Sequence, residues 1–227
     1  MSLLTSLALA ASASAQSYEQ LWKQVDADNE KDLPQSAIQG VEQILAKATS
    51  EQNAAQQLRA ALMKRLLEEE ISPDSATSFL QRMEESVEQE TRPAVKALWH
   101  AALGLCIEDQ GSSWAWNYSE HALEAQQKRA RKHFDAALTD LDALAQARTK
   151  DFLPLFDEGE DSQYFNDDLL HIVWRTYAQT SLLNREEKTA WLDKLATYYA
   201  SHNVPNAALL LRLDRIDPPQ HARKGEY

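Results

Sequence analysis

The side chains able to do chemistry in this chain are one cysteine, six histidines and several acidic runs. Cys106-Ile107-Glu108-Asp109-Gln110 sets a thiol and a carboxamide four residues apart. A protein thioester joins these two groups within Cys-x-Glu-Gln. Here Asp109 is an extra residue and the stretch closes an apolar helical pattern, so Cys106 reads as a small core residue. A single cysteine also makes no internal disulfide. None of the histidines forms an i, i+4 pair with a glutamate between, the arrangement that a zinc protease helix requires. His100, beside Trp99, reads as a partly buried helix residue. Asp157-Glu158-Gly159-Glu160-Asp161 offers oxygen ligands to calcium but lacks the 1, 3, 5 spacing of an EF-hand, and reads as a solvated loop. Acid/base catalysis would have to combine that loop with His171, and no spacing singles out a pair. There is no phosphate-cradling glycine loop and no Gly-x-Ser-x-Gly elbow. The residues therefore point to no catalytic, cofactor or metal site, and the chain is expected not to be an enzyme.

One stretch could serve recognition. Gly111-Ser112-Ser113-Trp114-Ala115-Trp116-Asn117-Tyr118 carries three large aromatics in what reads as a loop. Such rings either dock back onto the core or present a platform to a partner. Trp114, Trp116 and Tyr118 are the candidate protein-docking residues.

The elements that would position these groups are helical throughout. Glycine and proline are few, whereas Ala, Leu, Gln and Glu recur and lose little rotamer freedom in a helix. The centre of the pattern is Arg92 to Gln110. There Val95, Leu98, Trp99, Ala102, Leu103, Leu105, Cys106 and Ile107 cover most of a helix circumference, which predicts packing on several sides. Before it, Tyr18, Leu21, Trp22 and Val25 mark a first helix. A second, from Pro34 to about Ala48, carries Ala37, Ile38, Val41, Ile44 and Leu45. A third carries Ala55, Leu58, Ala61, Leu62, Arg65 and Leu66, and a fourth Ala76, Phe79, Leu80, Met83 and Val87. After it, one long helix is expected from about Ser119 to Arg148, then the apolar turn Phe152 to Phe156 and an acidic loop from Asp157 to Asn166. Three helices follow: one around Leu169 to Tyr177, then Glu186 to His202 and Val204 to Ile216. Short connections between helices make antiparallel neighbours. The expected fold is all-α, an array of about eight or nine helices in antiparallel hairpins, solenoid or TPR-like, over residues 16–217. No second copy aligns at a fixed 34-residue period.

Charge narrows the partners. Twenty-three basic against 35 acidic residues give a formal charge of −12, which repels nucleic acid and anionic membranes. The basic run Lys128-Arg129-Ala130-Arg131-Lys132 wraps around a helix and reads as a solvated face. Leu3, Leu4, Leu7 and Leu9, followed by Ala13-Ser14-Ala15, resemble a secretory leader cut after Ala15, although no basic residue precedes Lys23. The run is too short to span a bilayer, which needs about 20 apolar residues. An exported, periplasmic or envelope-located monomer is expected, with residues 218–227 a polar tail or a linker to further domains.

Four stretches taken together resemble a known family. They are Ser17 to Val25; Lys31 to Ala37 with Val41 and Ile44; Arg92 to His100 with the Trp114 to Tyr118 segment; and His133 to Leu141 followed by Leu153 to Phe156 and Asp167 to Leu170. In this order they are similar to the N-terminal helical region of bacterial alpha-2-macroglobulin-like proteins, the large secreted type found in Bacteroidetes. The resemblance implies a non-catalytic scaffold or docking module of a protease-trapping protein. Its partners would be the rest of its own polypeptide and, through domains absent from this chain, proteases. No inhibitory residue of that family can be placed here, since Cys106 to Gln110 departs from the thioester motif. The alternative is a free-standing exported helical-repeat module that binds another protein.

Overall fold

The computed structural model describes residues 16–72, 75–113, 119–153, 155–156 and 162–216, with the backbone alone at 75–77 and 111–113. Among them are ten α-helices and no strand: α1 (Tyr18–Asn29), α2 (Pro34–Ser50), α3 (Ala54–Ile71), α4 (Ser75–Gln89), α5 (Pro93–Ser113), α6 (Glu120–Ala137), α7 (Leu141–Gln146), α8 (Leu169–Gln179), α9 (Arg185–Ser201) and α10 (Pro205–Ile216). The all-α helical array expected from periodicity is what the chain forms.

Local chemistry sets the boundaries. Ser17 and Asn184 build capping boxes with Gln20 and Glu187, while Asn53, Ser119, Asp140 and Asp168 each accept the amide proton three residues on. Three hairpins turn by one device. Asp32, Gln52 and Asn203 take positive φ (56°, 54° and 61°), and the next residue's N–H reaches back to Asp28, Ala48 and Tyr199 respectively. This is the Schellman closure, made here without glycine. In two of the three, Pro34 and Pro205 then open the following helix.

Several expectations are corrected. The predicted helix from Ser119 to Arg148 is broken after Ala137. Thr139 bonds back to the Asp135 carbonyl, and Asp140 caps a new short helix. The apolar period carries across this break because Leu138 and Leu144 both enter the core. Gly111, Ser112 and Ser113 belong to α5 rather than to a loop. Inside the predicted acidic loop, Ser162–Phe165 makes a 3-10 turn that buries Phe165. Leu66 of α3 and Leu105 of α5 are exposed, and on α3 Ala60 and Leu67 are buried instead.

The α3 change has a packing cause. Ala54, Ala55 and Leu58 join the large core, whereas Ala60 and Leu67 join a smaller one with Leu21, Trp22, Val25, Ala37, Val41 and Ile44. One helix thus serves two cores with two faces, and a single-stripe reading misplaces residues. Helix α5 packs against α4, α6, α7 and α8, burying Val95, Ala97, Leu98, Trp99, Ala101, Ala102, Leu103, Cys106 and Ile107. It is the enclosed centre that its sequence implies.

The closest approach within that centre is at Gly104. A Cβ there would lie 2.8 Å from Phe134 Cδ2 and 2.9 Å from Cε2. The Phe134 ring is fully buried and stacked on Tyr177, with centroids 4.5 Å apart and planes 4° from parallel, so it cannot swing away. Alanine at this position would recover about 1 kcal/mol of helix propensity, masking part of the clash. Valine recovers less and intrudes more. Gly104→Val is expected to cost about 3 kcal/mol, with the melting temperature falling roughly 2–4 °C per kcal/mol for a chain of this size. An unchanged melting temperature would show that α5 and α6 are not in this contact.

Candidate protein-docking groove

Helix α4 touches α3 and α5 yet stands off from α2, and the space left is a groove of about 460 Å³. Its lining runs from Leu45 and Thr49 on α2, through Ala61 and Lys64 on α3, to Phe79, Met83 and Ser86 on α4, with Trp99 of α5 beneath. The groove lies where the two cores meet: Leu45 packs on the small one, and Phe79, Met83 and Trp99 belong to the large one.

The cations that line it are already paired. Lys64 Nζ lies 2.6 Å from Glu42 and 3.7 Å from Glu68, Arg82 pairs with Glu68, and Arg92 donates to Glu90 at 2.7 Å and to the Gln52 carbonyl at 2.9 Å. Exposed pairs of this kind add about 0–1 kcal/mol to stability. Their larger effect is to leave Glu85, bonded to Gln81, as the one lining charge without a cation partner among the described residues, above an apolar floor, which suits an apolar or weakly charged segment.

Helix α4 is held from its other side by α6. Glu84 accepts from Arg129 Nε at 3.1 Å and Nη2 at 2.5 Å, and lies 3.8 Å from His133 Nε2. The basic run is therefore more than a solvated face: Arg129 reaches α4, and Arg131 pairs with Glu187 of α9. His133 in turn meets His100 of α5, Nδ1 to Nδ1 at 3.0 Å with ring centroids 5.3 Å apart. With one Nδ1 protonated and the other accepting, the two tilted rings share a hydrogen bond. Among the described residues no group of three His, Cys, Asp or Glu side chains could hold a metal ion.

Trp114, Trp116 and Tyr118, the candidate docking aromatics, lie outside the described residues, as does the acidic run Asp157 to Asp161. Cys106 is 3% exposed. Burial pushes its thiol pKa up, against the pull of Arg65. No basic residue lies within a turn of Cys106 along its own helix, and Arg65 instead reaches it from α3. It is itself buried and bound to Glu69 at 2.9 Å and Asp109 at 2.7 Å. Asp109, the residue that spoils the thioester spacing, is thus an ion-pair partner across the α3–α5 interface. His171 is buried against Asp168, at 3.1 Å, and its ring stacks on Phe165.

The groove was not legible in the sequence. Its residues are ordinary core and surface types on four helices, and only the packing of α4 brings them together. No helix among the described residues is long and apolar enough to cross a membrane. No family model matches the chain, and no curated protein or solved structure matches it.

The histidine pair gives the α4–α5–α6 junction a pH dependence of definite sign. Burial, with His133, Lys96 and Lys132 adding to it, pushes His100 down to about 4 from 6.5. His133 is lowered by burial and by Arg129 and Lys132, with Glu84 opposing. For bases lowered on folding, the unfolded chain binds more protons, so their contribution is complete above pH 6.5 and is lost as pH falls toward 4. Thermal melts between about pH 7.5 and pH 5 should show stability falling, and His100→Gln, which keeps a partner for His133, should flatten the slope. An identical slope in that variant would remove the pair from the account.

Proposed function

We propose that this chain is a non-catalytic docking module that receives an apolar segment of a protein partner in the groove between α2, α3, α4 and α5. The observation that carries the reading is the groove itself: an apolar floor of Leu45, Ala61, Phe79, Met83 and Trp99 under a rim whose cations are all paired. Hydrophobic clefts rimmed by polar groups are where helical proteins accept amphipathic partners. The formal charge of −12 argues against nucleic acid as the partner.

The resemblance of the Ser17 to Leu170 stretches to alpha-2-macroglobulin-like proteins adds a location and a context. In that reading the module is exported to the periplasm or cell envelope, and the segment it receives belongs to the remainder of its own polypeptide. The alternative is a free-standing exported repeat protein whose groove takes a segment of a different protein.

A photo-crosslinking amino acid at Ser86, inside the groove, and another at Gln24, on the exposed face of α1, test the docking reading in the native envelope. A discrete adduct from Ser86, absent from Gln24 and lost on Leu45→Glu, a change at a half-buried lining position, is the expected result. Adducts equal at both positions, or unaffected by Leu45→Glu in a folded protein, would contradict it. The reading frame beyond Tyr227 separates the two contexts: strand-rich domains with a Cys-x-Glu-Gln support the macroglobulin-like one.

A further inference from the structure

The groove between α2, α3, α4 and α5 lies beside the point where the chain enters the fold. Ser17 caps α1, and the Tyr18 hydroxyl donates to Glu51 at 2.6 Å, while Lys47 Nζ sits 5.1 Å from the centre of the Tyr18 ring. Lys47 is in the last turn of α2, and Glu51 closes that helix. The groove reaches the same end of α2: Thr49 lines it, and Arg92, also lining, donates to the Gln52 carbonyl at 2.9 Å. Residues 1–15 thus join the fold close to the groove's rim.

Their chemistry is what the groove can take. No Asp, Glu, Lys, Arg or His precedes Glu19, and Leu3, Leu4, Leu7 and Leu9 stand among small residues. The cations lining the groove are already paired and its floor is apolar, so a charged occupant would have to break those pairs or bury a charge without a partner. An uncharged leucine-rich one does neither, and it removes apolar surface from water. Leu3, Leu4 and Leu7 also stand at i, i+1 and i+4, a spacing by which a segment sets anchors into a groove. Reach is sufficient. The residues between Leu9 and Ser17 span up to about 25 Å when extended, against a helix width of about 10–12 Å to be crossed. The other chain end is unsuited: Asp217, Arg223, Lys224 and Glu226 charge it, and it follows α10, which packs on α9.

We propose that in the uncut chain the groove is occupied by the protein's own residues Leu3 to Leu9, and that a partner segment enters once these are removed by the cut after Ala15. The occupancy stands on the groove and the chain's point of entry alone; the exchange for a partner rests on the docking reading.

The purified full chain, residues 1–227, with a photo-crosslinking amino acid at Ser86 tests the occupancy in the absence of any partner. Peptide mass spectrometry of the monomeric product should place the adduct within residues 1–15. Leu3→Glu combined with Leu7→Glu, changes that touch none of the ten helices, should abolish it. Adducts confined to residues 16–227, or an adduct undiminished by the double substitution, would overturn the occupancy. In the native envelope, the partner adduct from Ser86 should be carried by chains cut after Ala15 and not by uncut ones; equal adducts on both forms would overturn the exchange. The two readings fail separately. A segment adduct in the purified chain with no partner adduct in the envelope supports the occupancy and removes the docking reading, and a partner adduct without a segment adduct does the reverse.

Discussion

The structure depends on the close passage of α5 and α6 at Gly104. The missing side chain lets Cδ2 and Cε2 of the Phe134 ring come close to the central helix, and Tyr177 of α8 stacks on that ring. Three helices are thereby fixed at one point. An interior packed to crystal-like density has no slack to absorb a methyl group there, so the angle between α5 and α6 is set by one residue. That angle decides which residues meet elsewhere: His100 with His133, and Arg129 with Glu84.

A chain with a single, larger core would have no groove of this kind. The array has two because α3 has two apolar faces, and the seam between the cores is bridged by α3 and roofed by α4. Helix α4 is tethered to α6 by Glu84 and to α3 by the Arg82–Glu68 pair, contacts that are exposed and individually weak. The element forming one wall of the groove is held chiefly by the burial of Phe79, Leu80, Met83 and Val87, with these ties added at its surface. Arg65, buried at the α3–α5 interface, pairs with Glu69 and Asp109.

What the sequence made legible was local. Helix type followed from periodicity, and the start of α2 at Pro34 followed from residue chemistry within a few positions. The enclosure of Arg92 to Gln110 followed from apolar residues on all sides of one helix. The misreadings arose where two local signals competed: Asp140 is a cap inside an unbroken apolar period, and α3 carries two faces that merge into one when counted along the chain. The sites were least legible. Asp168 meets Tyr199 across 31 residues, Arg65 meets Asp109 across 44, and the groove draws on four helices. Such meetings are fixed by interhelical angles, which spacing does not encode. Gly104 is a glycine inside an apolar helix, a signal that marks a close approach without naming the partner and that the periodicity of the helix passes over.

Native-state hydrogen exchange measures the central claim directly, since amide protection reports the free energy of opening each segment. If α5 is the enclosed centre and the small α1–α2 core is a separate, weaker unit, amides from Val95 to Ile107 will exchange slowest, with α6 and α8 close behind. Those of α1 and α2 will exchange through a lower-energy opening. Protection in α5 no greater than in α1, or a single uniform opening of all ten helices, would contradict a structure organised around the Gly104–Phe134 contact.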